Sequence, residues 1–156
     1  MKQKTNRGFS LIELLIVVTI IGIIASIAIP NLLASRRAAN EGSAQQSLRT
    51  IASCESTYLY TYGGGSYTDL AGLGSKTLTD GVLALGSKSG YTFVAVPVAG
   101  NPPLYWAYAV PITTSGIGQT GTRRFAISED GVLRVDANLT APADEAAVRL
   151  MSPSGN

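Results

Sequence analysis

A single carboxylate, Glu13, lies inside the apolar stretch RGFSLIELLIVVTIIGIIASIAIPNLL at positions 7 to 33. A carboxylate in such surroundings has two options. It can sit near enough to an interface to reach water, or it can meet an opposite charge, because isolation at the centre of a bilayer costs about 2.5 to 3.5 kcal/mol on insertion scales. Elsewhere, side chains that could do chemistry are sparse. There is no histidine, which removes the usual general base and the commonest metal ligand together. Cys54 is the sole cysteine, so it closes no intramolecular disulfide and reads as a small buried apolar residue or an intermolecular link. Ser, Asp and Glu occur at no spacing that draws a catalytic triad, and GGGS at positions 63 to 66 lacks the Lys-Ser/Thr of a phosphate-binding loop. No catalytic residue, no metal site and no cofactor is therefore expected, and the chain is not expected to be an enzyme.

Three weaker groupings remain. Asp130, Asp136 and Asp144 could be offered to calcium, but their spacing matches no calcium loop, and solvated surface carboxylates are the simpler expectation. Arg123 and Arg124 form the one basic pair of the later chain and could touch DNA, with a pair of exposed strand arginines as the plain alternative. Asn138-Leu139-Thr140 matches a glycosylation sequon, a pattern that recurs often by chance.

The elements that position these residues begin with the apolar run itself. From Leu14 to Ser35 there are 22 residues without a charge. As a helix they cover about 33 Å, against a hydrocarbon core near 30 Å. A cleaved secretory signal is the rival reading, but the run is long and no Ala-x-Ala-like site precedes the polar NEGSAQQS. A retained membrane helix follows. Flanking charges leave its orientation open, since Lys2, Lys4 and Arg7 precede it and Arg36 and Arg37 follow. Without those first three, nine basic side chains face ten acidic ones, and no basic footprint for nucleic acid is present.

Beyond the span, Leu48, Ile51, Glu55, Tyr58 and Tyr62 recur at intervals of three and four, with Arg36, Arg37, Glu41, Gln45 and Arg49 largely elsewhere. One helix from about Phe9 to Tyr62 is expected, stopped by the glycines at 63 to 65. Residues 63–89 read as a loop anchored by leucines at 70, 73, 78, 83 and 85. Four strand candidates follow: YTFVAVPV, LYWAYAVPI, TRRFAIS and VLRVD, the last two joined through a hairpin signal at Asp130-Gly131. Tyr91, Phe93, Trp106 and Phe125 are expected in the core, and SPSGN as a mobile tail. With 156 residues, one domain plus an appendage is expected.

The stretch RGFSLIELLIVVTIIGIIASIAIPNLLASRRAAN, with a short basic leader ending in Gly8, then Phe9, then Glu13 five positions in, resembles the amino-terminal signature of type IV pilins and type II secretion pseudopilins, the class III signal peptide. The resemblance implies that a prepilin peptidase cuts between Gly8 and Phe9 on the cytoplasmic face, leaving the helix in place. It also implies N-methylation of the new Phe9 amine and a body outside the cytoplasmic membrane. In a bundle of such helices the nearest opposite charge for Glu13 is a Phe9 amine, on its own chain or a neighbour's, which makes Glu13 an assembly residue that fixes helix stagger. Gly22 and Pro30 either kink an ordinary membrane helix or, as the resemblance implies, bound a stretch that gives up helical hydrogen bonds when subunits pack and so makes the fibre extensible. The short matches SGYTF, GTRRF and EDGVLR are similar to a pilin body, although many major pilins carry a disulfide loop that this chain cannot form.

The expected fold is α+β, a long amino-terminal helix packed by its second half on an antiparallel sheet of about four strands. Its divisions are a leader at 1–8, a filament-core helix at 9–35, an amphipathic continuation at 36–62, a variable loop at 63–89, a sheet at 90–136 and a tail at 137–156. The expected function is a structural subunit of a pilus-like homo-oligomeric filament, stored in the membrane and assembled by an inner-membrane platform with an ATPase. A secretion pseudopilin and a single-span membrane-anchored binding domain are the alternatives. Nucleic acid is not an expected partner.

Overall fold

The computed structural model describes residues 9–155. These fall into two units, one ending at Ser35 and the other beginning at Arg36. Helix α1 runs Leu11–Thr61 and contributes to both. Its end is set by glycine: the Gly63 and Gly65 N–H groups return to the Tyr58 and Leu59 carbonyls, with Gly64 and Gly65 at φ of 55° and 91°.

In the second unit, short helices α2 (Leu70–Ser75) and α3 (Gly81–Ala84) precede strands β1 (Ser87–Lys88), β2 (Tyr91–Val98), β3 (Leu104–Pro111), β4 (Arg124–Ser128) and β5 (Arg134–Asp136). Helix α4 (Glu145–Arg149) and strand β6 (Ser152–Pro153) close the chain. Each of the three short helices starts on an aspartate whose side chain accepts a backbone N–H two to three residues into the helix: Asp69 from Gly72, Asp80 from Leu83, Asp144 from Ala147.

The sheet is an antiparallel meander in the order β1-β2-β3-β4-β5-β6. Six strands stand where about four were expected. The four expected runs contain β2 to β5, and the additions are the two-residue β1 and β6, too short to show an alternating pattern. The pairing of Ser152 and Pro153 with Val135 and Arg134 corrects the expectation of a mobile tail. Gly131, at φ of 71°, makes the turn between β4 and β5.

Alternation divides the side chains of the central strands between two faces. Tyr91, Phe93, Ala95, Tyr105, Ala107, Ala109, Phe125 and Ile127 join one cluster with Ala44, Leu48, Ile51 and Cys54 of α1 and with Leu70, Leu73 and Leu83. The register makes this possible, since Phe93 and Phe125 both pair with Ala109, whose small side chain leaves room between two rings. On the other face Trp106 and Ala126 pack with Val148 of α4 and Met151. Trp106 is therefore core, as expected, but in the smaller cluster that α4 covers.

Candidate functional site

Between Phe9 and Ser35 nearly every side chain is exposed, from Phe9 at 74% to Leu32 at 68%. Helix α1 is long and apolar enough to cross a membrane, and none of its most apolar stretch is buried. Two hydroxyls within this segment are satisfied locally, as a lipid environment would require: Thr19 Oγ1 donates to the Leu15 carbonyl and Ser26 Oγ to that of Ile23, both at 2.7 Å.

Glu13 has a partner at the start of this helix. Ser10 immediately precedes the first helical residue, and its backbone N–H donates to Glu13 Oε2 at 2.9 Å. This is the carboxylate half of a capping box, in which an acidic side chain in the first turn reaches back to an N–H that has no helical acceptor. The carboxylate also faces the positive end of the helix dipole. The Ser-x-x-Glu spacing at 10 and 13 is the sequence signal for this cap, masked by the apolar run in which it lies. Phe9 lies one residue before that amide; Gly8 and the leader lie outside the described residues.

Gly22 and Pro30 both lie inside α1, which runs through them without a break. Pro30 has no N–H for the Ser26 carbonyl. A Cβ added at Gly22 would meet nothing within 4 Å, so crowding inside the chain does not call for glycine there.

The second unit uses its charged groups on itself. Glu41, expected off the buried face of α1, is buried, lying three residues from Ala44 and seven from Leu48 on the same side. Its Oε1 accepts Thr122 N–H and Oγ1–H, each at 2.7 Å, while Oε2 accepts Arg123 Nε at 2.9 Å and Nη2 at 2.7 Å. Burial opposes ionisation of Glu41, but the two Thr122 bonds and the Arg123 guanidinium outweigh it and hold the carboxyl below its ordinary range. Beside it Arg37 Nη1 donates to Gln119 and Asn40 Nδ2 to the Thr120 carbonyl. One turn of helix thus clamps the segment leading into β4.

Glu55 is fully buried, with Oε2 accepting the Thr68 N–H at 3.1 Å and Oε1 lacking a partner. Burial pushes its carboxyl up to about 7, against the Thr68 hydrogen bond and with help from nearby Asp69. Next to it Cys54 donates its thiol to the Leu78 carbonyl.

The remaining candidates are engaged internally. Arg124 is buried and bonds the Thr140 carbonyl and Asp136 Oδ2, each at 2.7 Å, which corrects the expectation of two exposed strand arginines; Arg123 is exposed and is held by Glu41. Asp130 is bound by Arg134 and Ser128, which hold its carboxyl at about 2 despite partial burial, and Asp144 caps α4. Among the described residues no cluster of three His, Cys, Asp or Glu could hold a metal ion.

Residues 3–29 match the family described as the prokaryotic N-terminal methylation motif. Over 127 residues the chain is 34% identical to the type IV wide pilus major component PilA4 of Thermus thermophilus, covering 77% of this chain and 92% of that protein. Over 53 residues it is 43% identical to the type IV major pilin protein PilA of Myxococcus xanthus, covering 34% of this chain and 24% of that protein. No solved structure matches.

Proposed function

This chain belongs to the type IV pilin family, and from that premise we propose how it serves as the structural subunit of a pilus filament. Prepilin peptidase removes residues 1–8 by cutting between Gly8 and Phe9, and the new Phe9 amine is N-methylated. Residues 9–35 hold the precursor in the cytoplasmic membrane as a single span with the body outside. An inner-membrane platform driven by an ATPase then moves subunits into a homo-oligomeric filament that is extracellular when assembled.

In leaving lipid for a bundle of identical helices, the apolar side chains exchange one apolar environment for another, so the hydrophobic gain is small. Close packing and charge pairing then decide which stagger is stable. Glu13 holds the one charge between Phe9 and Ser35. Paired with a neighbour's Phe9 amine it is neutralised; any other stagger leaves a carboxylate without its partner. Its hydrogen bond to Ser10 supports this reading by directing the carboxylate back toward the helix start, where such an amine would arrive. Gly22 and Pro30 mark the stretch that gives up helical hydrogen bonds in the filament, and the open space around Gly22 fits a position kept small for a neighbouring helix.

The observation that carries the proposal is an exposed apolar helix of membrane-spanning length with one acid in its first turn, in a chain aligned over most of its length with a major pilus component. Mass spectrometry of filaments sheared from cells tests it. The amino-terminal peptide should begin at methylated Phe9; a chain that starts at Met1 in native material contradicts the proposal.

A further inference from the structure

The sequence contains one Asn-x-Ser/Thr triplet, Asn138-Leu139-Thr140, and it has no proline at its centre. In the fold it leaves the end of β5 on a fixed base. Buried Arg124 reaches from β4 to both ends of the segment, through Nη2 to Asp136 Oδ2 and through Nη1 to the Thr140 carbonyl, each at 2.7 Å. Asp136 Oδ1 in turn accepts the Asn138 N–H at 3.1 Å. On this base Asn138 and Thr140 are both exposed. The two side chains already meet: Asn138 Oδ1 accepts Thr140 Oγ1–H at 2.9 Å and Thr140 N–H at 3.0 Å.

That arrangement matches the chemistry a sequon supplies. A carboxamide nitrogen is a weak nucleophile because its lone pair is shared with the carbonyl, and the hydroxyl two residues on is what distinguishes an acceptor asparagine from any other. Here the hydroxyl is hydrogen-bonded to the oxygen of the same carboxamide, so both hydrogen bonds to the side chain use Oδ1, and Nδ2 remains for an incoming electrophile.

We infer that Asn138 is the acceptor of an N-linked glycan. The donor is an oligosaccharide joined through its anomeric carbon to a polyprenyl diphosphate. The anomeric C–O bond breaks and the diphosphate departs with the electron pair. Nδ2 forms the new C–N bond and releases one proton to a base of the transferase, giving a glycosyl asparagine and free polyprenyl diphosphate. The reaction takes place on the body outside the cytoplasmic membrane, and in that respect it rests on the proposed topology.

Trypsin cuts after Arg134 and Arg149, so one peptide, residues 135–149, carries the site. In protein from the native host, fragmentation of this peptide should place a glycan mass on Asn138. The mass should disappear in Asn138→Gln and Thr140→Ala and persist in Thr140→Ser. Peptide 135–149 of wild type at its unmodified mass, or a glycan on the Thr140 oxygen, overturns the inference. The same digest reports the amino-terminal peptide, so a mature start at Phe9 with an unmodified 135–149 would sink this inference and leave the filament reading standing.

Discussion

Glu41 and Glu55 sit on one buried face of α1 and have opposite electrostatics. Glu41 meets a guanidinium and two Thr122 donors, so its ionised form is favoured in the fold. Because its folded value is depressed from 4.5, its contribution is complete above that pH and is lost as pH falls through the folded value. Glu41→Ala should lower stability by about 1–3 kcal/mol at pH 7, held to that range because Arg123 is half exposed and can turn to water. Urea unfolding of the detergent-solubilised chain should show the gap between wild type and variant narrowing as pH falls below 4.5. Glu55 behaves in reverse: raised to about 7, it binds a proton in the fold that the unfolded chain has already released. Stability should therefore decline as pH rises from about 4.5 through 7, and Glu55→Gln should remove that decline. The expected gain is on the order of 2–3 kcal/mol at pH 8, with little difference at pH 4. Equal stability of the variant and wild type at both pH values would contradict this. The place of Glu55 on the helix face was legible from its spacing with Leu48 and Ile51. Glu41 was not, because a charged residue on a helix is taken as solvated until its partner, here more than 80 residues away, is known.

Among the elements, those long enough to show a period were legible. The strand run at 91–98 coincides with β2, and the helix from about Phe9 to Tyr62 is α1 at Leu11–Thr61. Strands β1 and β6 have two residues each, and their existence depends on where β2 and β5 place their edges. The helices α2, α3 and α4 are likewise set by single aspartate caps rather than by apolar repeats. Pro30 supplies the prediction at this scale. Pro30→Ala restores an N–H opposite the Ser26 carbonyl and raises helix propensity by about 3 kcal/mol. Leader cleavage and membrane insertion should be unchanged, whereas filaments of the variant should extend less before breaking when pulled by an atomic force probe. Equal extension would remove Pro30 from the account of elasticity.

At the scale of the whole molecule, the amino-terminal signature was legible because Gly8, Phe9 and Glu13 stand at fixed spacing against an uncharged run of membrane length. How subunits meet is less so, since a contact between copies leaves no spacing pattern within one chain. Glu13 links the two levels: in the single chain it accepts the Ser10 N–H, and in the filament it is proposed to meet a neighbour's amine. Glutamine separates these roles, because its side-chain oxygen can still accept the Ser10 hydrogen bond while the charge is gone. Glu13→Gln should thus keep the helix start, leader cleavage and membrane insertion. The decisive measurement is the number of filaments per cell by electron microscopy for Glu13→Gln, in cells where mass spectrometry finds the variant processed to Phe9 in the membrane. Loss of filaments by at least about tenfold, the factor matching roughly 1.4 kcal/mol in assembly, is the result predicted; filaments at wild-type number would contradict the charge-pairing account.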